Sequence, residues 1–380
     1  MHLRAITRAS LLGALFALAG VAQAAPRYAV VDLGTLAGIP GQALAINDSA
    51  QGVGYSYPSS NPAVLHPFLY SNGSMNDLGT LGGTSGVAEA INGSGQVVGG
   101  SSTAGNLQSH AFLYSNGIMT DLGTLGGSGS GAYGINNKGQ VVGESSIVDH
   151  EGLDAGTRAF LWSNGTMTNL GTLGGNARSI AFGINDSGQV AGASYTTGDL
   201  VQHAFLYSGG SMTDLGTLDG TLSDTYSIAL GINNSGQVVG MSTVGSDAVG
   251  HAFLYSNGSM ADLGTFGSFG SIARGINDSG EVVGYSFTAD GTAHAFLYSN
   301  GTMTDVNTLI DPLSGWLIST ANDINNRGDI VASGSNPSQN LYNRSLLLDA
   351  LVDHSVTEPG SLVLLSLGLV GLAGRRRKAL

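Results

Sequence analysis

The stretch GAYGINNKGQVVGES, residues 131–145, decides the fold of this chain because variants of it occur seven times. Small or polar residues alternate with apolar ones on both sides of the turn 136–139, which is the pattern of an antiparallel hairpin. Consecutive copies are 44 to 49 residues apart, and their isoleucines are Ile46, Ile91, Ile135, Ile184, Ile232, Ile276 and Ile324. A period of this length indicates a repeat architecture.

A second string, HAFLYSNGIMTDLGTL at residues 110–125, recurs after each copy of the first. Asn116-Gly117 at its centre is the strongest short hairpin signal and predicts a two-residue turn with positive φ. The aromatic residue of this string recurs as Phe68, Phe112, Phe160, Phe205, Phe253 and Phe296, and Leu346 replaces it in the last copy. Two hairpins per copy predict four short antiparallel strands.

Four antiparallel strands in each copy are typical of a propeller blade, and seven copies predict an all-β, seven-bladed β-propeller. A β-solenoid is the alternative, but its coils are usually shorter and need not close. A strand at Tyr28–Thr35 precedes any first strand, and a third strand at Arg344–Asp349 has no fourth after it. We therefore expect the amino-terminal strand to complete the last blade, which removes both free sheet edges.

The composition fits a packed, turn-rich protein. Of 380 residues, 61 are glycine without a three-residue period, which excludes collagen, and 42% are hydrophobic, which argues against disorder. The absence of cysteine excludes disulfides, thiolate metal sites and thiol nucleophiles. Without the basic residues of the two ends, seven basic residues face 26 acidic ones, a net charge of −19. Such a field repels phosphate, so we expect no nucleic-acid partner.

The first 24 residues predict a secretory signal peptide. Arg4 and Arg8 precede an apolar run over residues 11–21, and small residues at Ala22 and Ala24 suit cleavage after Ala24. A buried first helix is the alternative. The predicted domains are the signal peptide at 1–24, the repeat body at 25–352, and a linker with a sorting tail at 353–380.

The carboxyl-terminal end has a tripartite layout. Glu358-Pro359 precedes an apolar run at 362–374, which is followed by Arg375, Arg376 and Arg377. This layout resembles the bacterial PEP-CTERM sorting signal, with Thr357 where that family has its first proline. The resemblance implies recognition by a membrane-embedded exosortase and delivery to the cell surface or an exopolysaccharide matrix. The apolar run as a helix spans roughly 20 Å against a hydrocarbon core of ~30 Å, so we expect transient membrane contact; a permanent tail anchor is the alternative.

A basic residue opens most copies of the HAFLY string, and an acidic residue follows it eleven positions later. Pairing across a two-residue turn places Phe112 opposite Asp121, with His110 diagonally beside Asp121 on the same face. We predict a structural hydrogen bond or ion pair within each hairpin, and one across the ring closure. These pairs are His66 and Asp77, His110 and Asp121, His203 and Asp214, His251 and Asp262, His294 and Asp305, and Arg344 and Asp32.

The repeated histidines do not predict a shared metal site. Equivalent strands of neighbouring blades lie ~10 Å or more apart, whereas zinc needs nitrogens at about 2 Å from one ion. The Asn-Asp-Ser-Gly turns offer at most one carboxylate in most copies, and Arg327 stands where a calcium ligand would be expected in the last copy. We therefore expect no metal site and no cofactor.

The strings HAFLY, DLGTLGG and GINDSGQVVG resemble the HAF family of extracellular repeats over residues 28–350. The resemblance implies an exported bacterial protein, and that family has no agreed enzymatic role. Common catalytic motifs are absent, so we expect a non-catalytic structural or binding module whose partner is extracellular polysaccharide or a surface protein. Binding is expected at the variable loops, which include 56–65, 145–156 and 310–317. The alternative is a polysaccharide hydrolase or lyase with paired carboxylates there; ice binding ranks last.

Overall fold

A computed structural model describes residues 27–152, 154–198, 201–220, 225–245, 249–267 and 269–351. The described chain is all-β, as the sequence predicted, and its helical segments are three single 3-10 turns at Ala104–Asn106, Val306–Thr308 and Pro337–Gln339. The predicted signal peptide at 1–24 and the predicted tail at 353–380 lie outside the described residues.

The described strands form five antiparallel four-stranded sheets and one eight-stranded sheet, in which a parallel bridge between Thr157 and Arg178 joins two further antiparallel four-stranded units. The resulting seven units are numbered here in chain order from the first complete repeat. Unit 1 contains β2 (Gln42–Ile46), β3 (Gly52–Ser56), β4 (His66–Ser71) and β5 (Ser74–Asp77). Unit 2 contains β6 (Gly82–Ile91), β7 (Val97–Thr103), β8 (Ser109–Ser115) and β9 (Ile118–Asp121). Unit 3 contains β10 (Gly126–Ile135), β11 (Val141–Val148), β12 (Asp154–Ser163) and β13 (Thr166–Asn169).

The remaining units follow the same order, except that the last takes its fourth strand from the start of the chain. Unit 4 contains β14 (Gly174–Ile184), β15 (Val190–Thr196), β16 (Gln202–Ser208) and β17 (Ser211–Asp214). Unit 5 contains β18 (Ser227–Ile232), β19 (Val238–Val244), β20 (Val249–Ser256) and β21 (Ser259–Asp262). Unit 6 contains β22 (Ser271–Ile276), β23 (Val282–Phe287), β24 (Ala293–Ser299) and β25 (Thr302–Asp305). Unit 7 contains β26 (Leu317–Ile324), β27 (Ile330–Asn336), β28 (Leu341–Ala350) and β1 (Tyr28–Asp32).

The Asn-Gly tips close the outer hairpins as two-residue turns. Ser115 pairs with Ile118 across the tip, and Asn116 and Gly117 have φ values of 52° and 81°. Both residues therefore occupy the left-handed region that a type I′ turn requires. The glycine of the repeated VVG string has a different cause: at Gly143, an added Cβ would clash with the carbonyl oxygen of Gly131 on the neighbouring strand.

The buried hydrophobic residues of the described ranges form seven clusters, each of which joins two consecutive units. Phe160 of unit 3, fully buried, packs with Val98 and Ala111 of unit 2. Another cluster joins Val331 and Leu347 of unit 7 to residues of unit 1. The apolar faces of the first and last units therefore cover each other in the same way as those of neighbours in the sequence.

The strand β1 pairs with β28 over its whole length, from Tyr28 opposite Ala350 to Asp32 opposite Leu346. It is shorter than the predicted Tyr28–Thr35 because the chain turns at Gly34, which has a φ of 83° and donates its N–H to Asp32 Oδ1. The partner strand is longer than predicted and begins at Leu341.

One buried asparagine in each unit links that unit to the next. The Nδ2 of Asn185 donates to the carbonyl of Asn233 at 3.1 Å and to Gln189 Oε1 at 2.8 Å, and its Oδ1 accepts two backbone N–H groups. The same contact to the next unit is made by Asn47, Asn92, Asn136, Asn185, Asn233, Asn277 and Asn325. Because Asn325 donates to the carbonyl of Asn47 at 3.0 Å, this circuit returns to its start.

Replacing Asn185 with alanine is expected to lower the free energy of unfolding by about 2 kcal/mol, because the substitution leaves buried polar partners without hydrogen bonds. Chemical denaturation of the variant and the wild type measures the difference. Ser187→Ala in the same turn is the control, since Ser187 is exposed, and it should have little effect. Equal losses in the two variants would contradict a linking role for the asparagine.

Candidate functional site

The basic and acidic residues singled out in the outer hairpins lie at hydrogen-bonding distance. The Nδ1 to Oδ2 distances are 2.8, 2.7, 2.9, 2.8 and 2.6 Å for the pairs that begin with His66, His110, His203, His251 and His294. Arg344 Nε lies 3.0 Å from Asp32 Oδ2. Each of the six pairs lies in a different unit, so they do not converge on one site.

The aspartates of these pairs also hold the following turn. Asp121 Oδ1 accepts the backbone N–H of Gly123 at 2.7 Å, and Asp214 makes the same contact with Gly216. Burial acts to raise the pKa of Asp214, but the hydrogen bonds from His203 and Gly216 outweigh it, so the pKa is lowered. These contacts support a structural role for the pairs. In unit 3, Arg158 instead donates to the carbonyls of Thr157 and Asn176.

The acidic loop around His150 is exposed at its centre. The side chain of His150 is 89% exposed, and its Nε2 lies 3.7 Å from Glu151 Oε1. In the part of the chain that the structure describes, no three His, Asp or Glu side chains are grouped as metal ligands would be.

A cavity of about 230 Å³ is lined by first-strand residues of all seven units; we call it the axial cavity. One lining residue of each unit is the second position of the string Ala-x-x-Ile-Asn. Its neighbours repeat along the chain, but this position varies: it is Leu44, Glu89, Tyr133, Phe182, Leu230, Arg274 and Asn322. The repeat therefore conserves its own packing while presenting seven side chains of mostly different chemistry to one cavity.

A larger cavity of about 630 Å³, here called the groove, lies across units 2, 3 and 4. It shares Glu89 and Tyr133 with the axial cavity, so the two spaces meet at these residues. Leu65, at the end of one variable loop, and Ser145, at the start of another, also line the groove. The groove is thus on the side of the units where the variable loops lie, and its volume is that of a ligand pocket.

Glu89 is the most perturbed acid in the groove. Burial raises its pKa to about 7, and the positive charge of Arg274 acts in the opposite direction. Within the described residues its carboxyl group makes no hydrogen bond to protein. The negative charge of Glu89 also affects two nearby tyrosines. Burial raises the pKa of Tyr55 and of Tyr133, and the charge of Glu89 raises both values further.

Glu144, by contrast, has both carboxylate oxygens occupied. Its Oε1 accepts the hydroxyl of Tyr133 at 2.8 Å, and its Oε2 accepts Nη2 of Arg178 at 2.7 Å and Nε at 3.1 Å. The Arg178 side chain crosses from unit 4 to unit 3, and it is 46% exposed. The ring of Tyr133 lies 5.5 Å from that of Phe182. The groove therefore combines one free carboxyl group, one neutralised ion pair and the ring of Tyr133, and Phe182 extends this aromatic surface into the axial cavity.

These groove residues were not among the sites predicted from the sequence, which stressed what the repeats have in common. The sequence signal that could have identified them is the set of positions at which the repeats differ. Aligned on their Ile-Asn pairs, the seven copies have six different residues at the position of Glu89. Glu144 stands where the other copies have glycine, alanine, tyrosine, methionine or serine in the repeated string VVG-x-S. Variation between otherwise similar repeats marked the lining of the site.

Comparison with known proteins identifies the carboxyl-terminal end. Residues 355–378 match the PEP-CTERM protein-sorting motif. This motif is recognised by exosortase and marks the chain as an exported protein sorted to the cell envelope or surface. The sorting residues predicted from the sequence, Glu358, Pro359, Arg375, Arg376 and Arg377, fall inside the matched range, but outside the described residues. None of the helical segments in the described residues has the length and hydrophobicity needed to cross a membrane.

No curated protein matches the chain. Similar solved structures include TolB from Acinetobacter baumannii, with 13% identity, a TM-score of 0.44 and coverage of 67% of this chain and 63% of TolB. A fungal alcohol oxidase of the AA5 family with copper has 12% identity, a TM-score of 0.45 and coverage of 86% and 76%. Aleuria aurantia lectin with Fucalpha1-6GlcNAc has 11% identity, a TM-score of 0.38 and coverage of 70% and 94%.

Proposed function

We propose that the chain is a seven-bladed β-propeller that acts, at the cell surface or in the extracellular matrix, as a non-catalytic binding module for extracellular polysaccharide. The propeller is supported by seven four-stranded units, a core cluster between each pair of units, and an asparagine circuit that includes the first and last units. The repeat body would be residues 25–352, between a signal peptide at 1–24 and a sorting tail at 353–380.

The observation that carries the binding function is the groove at Glu89, Tyr133, Glu144 and Arg178. It is the place where an otherwise repetitive molecule becomes chemically specific, and it opens on the side of the variable loops, where binding residues are usually found. The sorting motif supports an exported protein at the cell envelope or surface, where extracellular polysaccharide would be within reach. Polysaccharide is thus the partner that fits both the expected location of the protein and the groove.

A second candidate function is a polysaccharide hydrolase or lyase, and the presence of Glu89 and Glu144 in one groove favours it. Glycoside hydrolysis uses two carboxyl groups with different protonation states. Both oxygens of Glu144 are already hydrogen-bonded, however, which favours a positioning role for that residue.

A screen of the exported protein against purified glycans and matrix polysaccharides tests the proposal, with calcium and chelator arms run in parallel. Binding with unchanged polymer length supports the module. Release of shorter chains or unsaturated ends would overturn the non-catalytic function and support the enzyme. Binding to a surface protein and to no polysaccharide would overturn the assigned partner.

A further inference from the structure

The charge of the groove restricts the ligand that it can accept. Its one cation, Arg178, is paired with Glu144 through two N–H donors, so it is not free to neutralise an acidic polymer. The remaining charged residue in the groove lining is Glu89, itself an acid, and where the groove meets the axial cavity Arg274 and the acid Asp323 are added. An anionic chain would meet the Glu89 carboxyl group and the net charge of −19 on the chain between its two ends. An uncharged ligand meets neither obstacle.

The surface around Glu89 suits a polyhydroxylated ring. Tyr133 and Phe182 form an aromatic pair with their ring centroids 5.5 Å apart, and aromatic rings provide large, rigid apolar contacts. Leu107, which also lines the groove, is 88% exposed and adds apolar surface at the rim. The rest of the lining is rich in serine and glycine, which offer hydroxyl and backbone polar groups.

We propose, as a refinement that rests on the proposed binding function, that the junction of groove and axial cavity at Glu89 and Tyr133 is a single binding site for an uncharged oligosaccharide segment. Tyr133 provides the surface on which one sugar ring packs, and the Glu89 carboxyl group contacts its hydroxyls. The site is single because only unit 2 places a carboxylic acid, and only unit 3 a tyrosine, at this position of the repeat.

This site makes binding dependent on pH. The charged and titratable groups around Glu89 are Tyr55 on β3, Tyr133 on β10 and Arg274 on β22, which interact with it electrostatically. Glu144 and Arg178 share the groove with it, and Asp323 on β26 shares the axial cavity. Burial already raises the pKa of the Glu89 carboxyl group to about 7, so the group is neutral below that pH. A bound sugar removes further water from it and so favours the neutral form more strongly. The complex therefore favours neutral Glu89, and affinity falls as the pH rises above neutrality.

The test is a calorimetric titration of the full chain, purified in a detergent without a sugar headgroup, with hexasaccharides of three kinds. These are neutral gluco-, manno- and galacto-hexaoses, a hexagalacturonate, and a glucosamine hexamer. We expect one neutral hexasaccharide to bind with a stoichiometry of one and with affinity about 30-fold weaker at pH 8.5 than at pH 5.5, since an acid of pKa about 7 is then about 3% neutral.

Four variants locate the site. Glu89→Gln should bind equally at both pH values, whereas Glu151→Gln, in the exposed loop, should retain the wild-type pH dependence. Tyr133→Ala should weaken binding by about tenfold or more, and Tyr133→Phe, which keeps the ring, should restore most of the affinity. Thermal melts of all four show whether any loss is due to unfolding.

The outcomes separate this site from the broader function. Tightest binding of hexagalacturonate or of the glucosamine hexamer, several sites per chain, or neutral-sugar binding that ignores Glu89→Gln and Tyr133→Ala would each overturn the site and leave polysaccharide binding intact. Failure of every saccharide to bind at either pH, while the protein remains folded, would overturn both.

Discussion

A chain that begins at residue 36, and therefore lacks β1, is expected to lose the cooperative unfolding transition of the chain that begins at residue 25. Tyr28 and Leu33 are 1% and 4% exposed, and full burial of such side chains contributes roughly 2 to 3 kcal/mol each. Their loss, together with the Arg344 ion pair to Asp32, removes roughly 5 kcal/mol, which approaches the whole net stability of many domains. Differential scanning calorimetry of the two chains measures this.

The missing strand itself provides the matched control. A synthetic peptide of residues 27–35 added to the shortened chain should restore a melting transition, whereas a peptide of the same composition in scrambled order should not. The reason is that β28 would otherwise be left as an open, apolar edge. A shortened chain that melts as sharply and at the same temperature as the longer one would contradict the role of β1.

Replacing Glu89 with glutamine is expected to stabilise the protein at high pH and to have little effect at low pH. In the folded protein the pKa of Glu89 is about 7, against an ordinary value of 4.5, so the carboxyl group keeps its proton to a higher pH than in the unfolded chain. A raised carboxyl pKa means that wild-type stability is greatest below the ordinary value and falls as the pH rises toward the folded value. The difference between the two proteins should therefore grow to roughly 3 kcal/mol by pH 8.5.

Urea denaturation at pH 4.5 and pH 8.5 measures this change. Asp323, whose pKa burial raises to about 7, is present in both proteins, so its contribution cancels in the comparison. Glu151→Gln is the control because its carboxyl group is exposed, and its stability should follow that of the wild type at both pH values. A stabilisation of Glu89→Gln that does not depend on pH would show that Glu89 is not held neutral.

The all-β class and the four strands of each copy could be predicted because their causes are local. Asn116-Gly117 fixes a two-residue turn, and that turn fixes the register that brings His110 next to Asp121. The role of the buried asparagines that link each unit to the next was harder to predict from the sequence. Asn185 looks like a turn residue in its own repeat, and its bond to Asn233, 48 positions away, depends on how two units meet.

The candidate site could not be predicted for a related reason. Glu89, Glu144 and Arg178 belong to three different copies, so no window of one repeat contains the group. The ion pair between Glu144 and Arg178 spans 34 positions and exists only because units 3 and 4 lie side by side. A sequence pattern reveals which positions vary, but the packing of units decides which of those variable positions share one cavity.

The most direct test of the central claim, that the chain closes on itself through its first strand, is an engineered cross-link. The natural chain has no cysteine, so Ala29→Cys with Asp349→Cys, at directly opposed positions, can form only one intramolecular disulfide. The closed arrangement predicts that mild oxidation of the monomer forms this bond, seen as a mass loss of about 2 Da, and that Ala29→Cys with Tyr342→Cys, seven residues further along β28, forms none. A folded monomer in which the first pair stays reduced, or in which both pairs oxidise equally, would contradict closure.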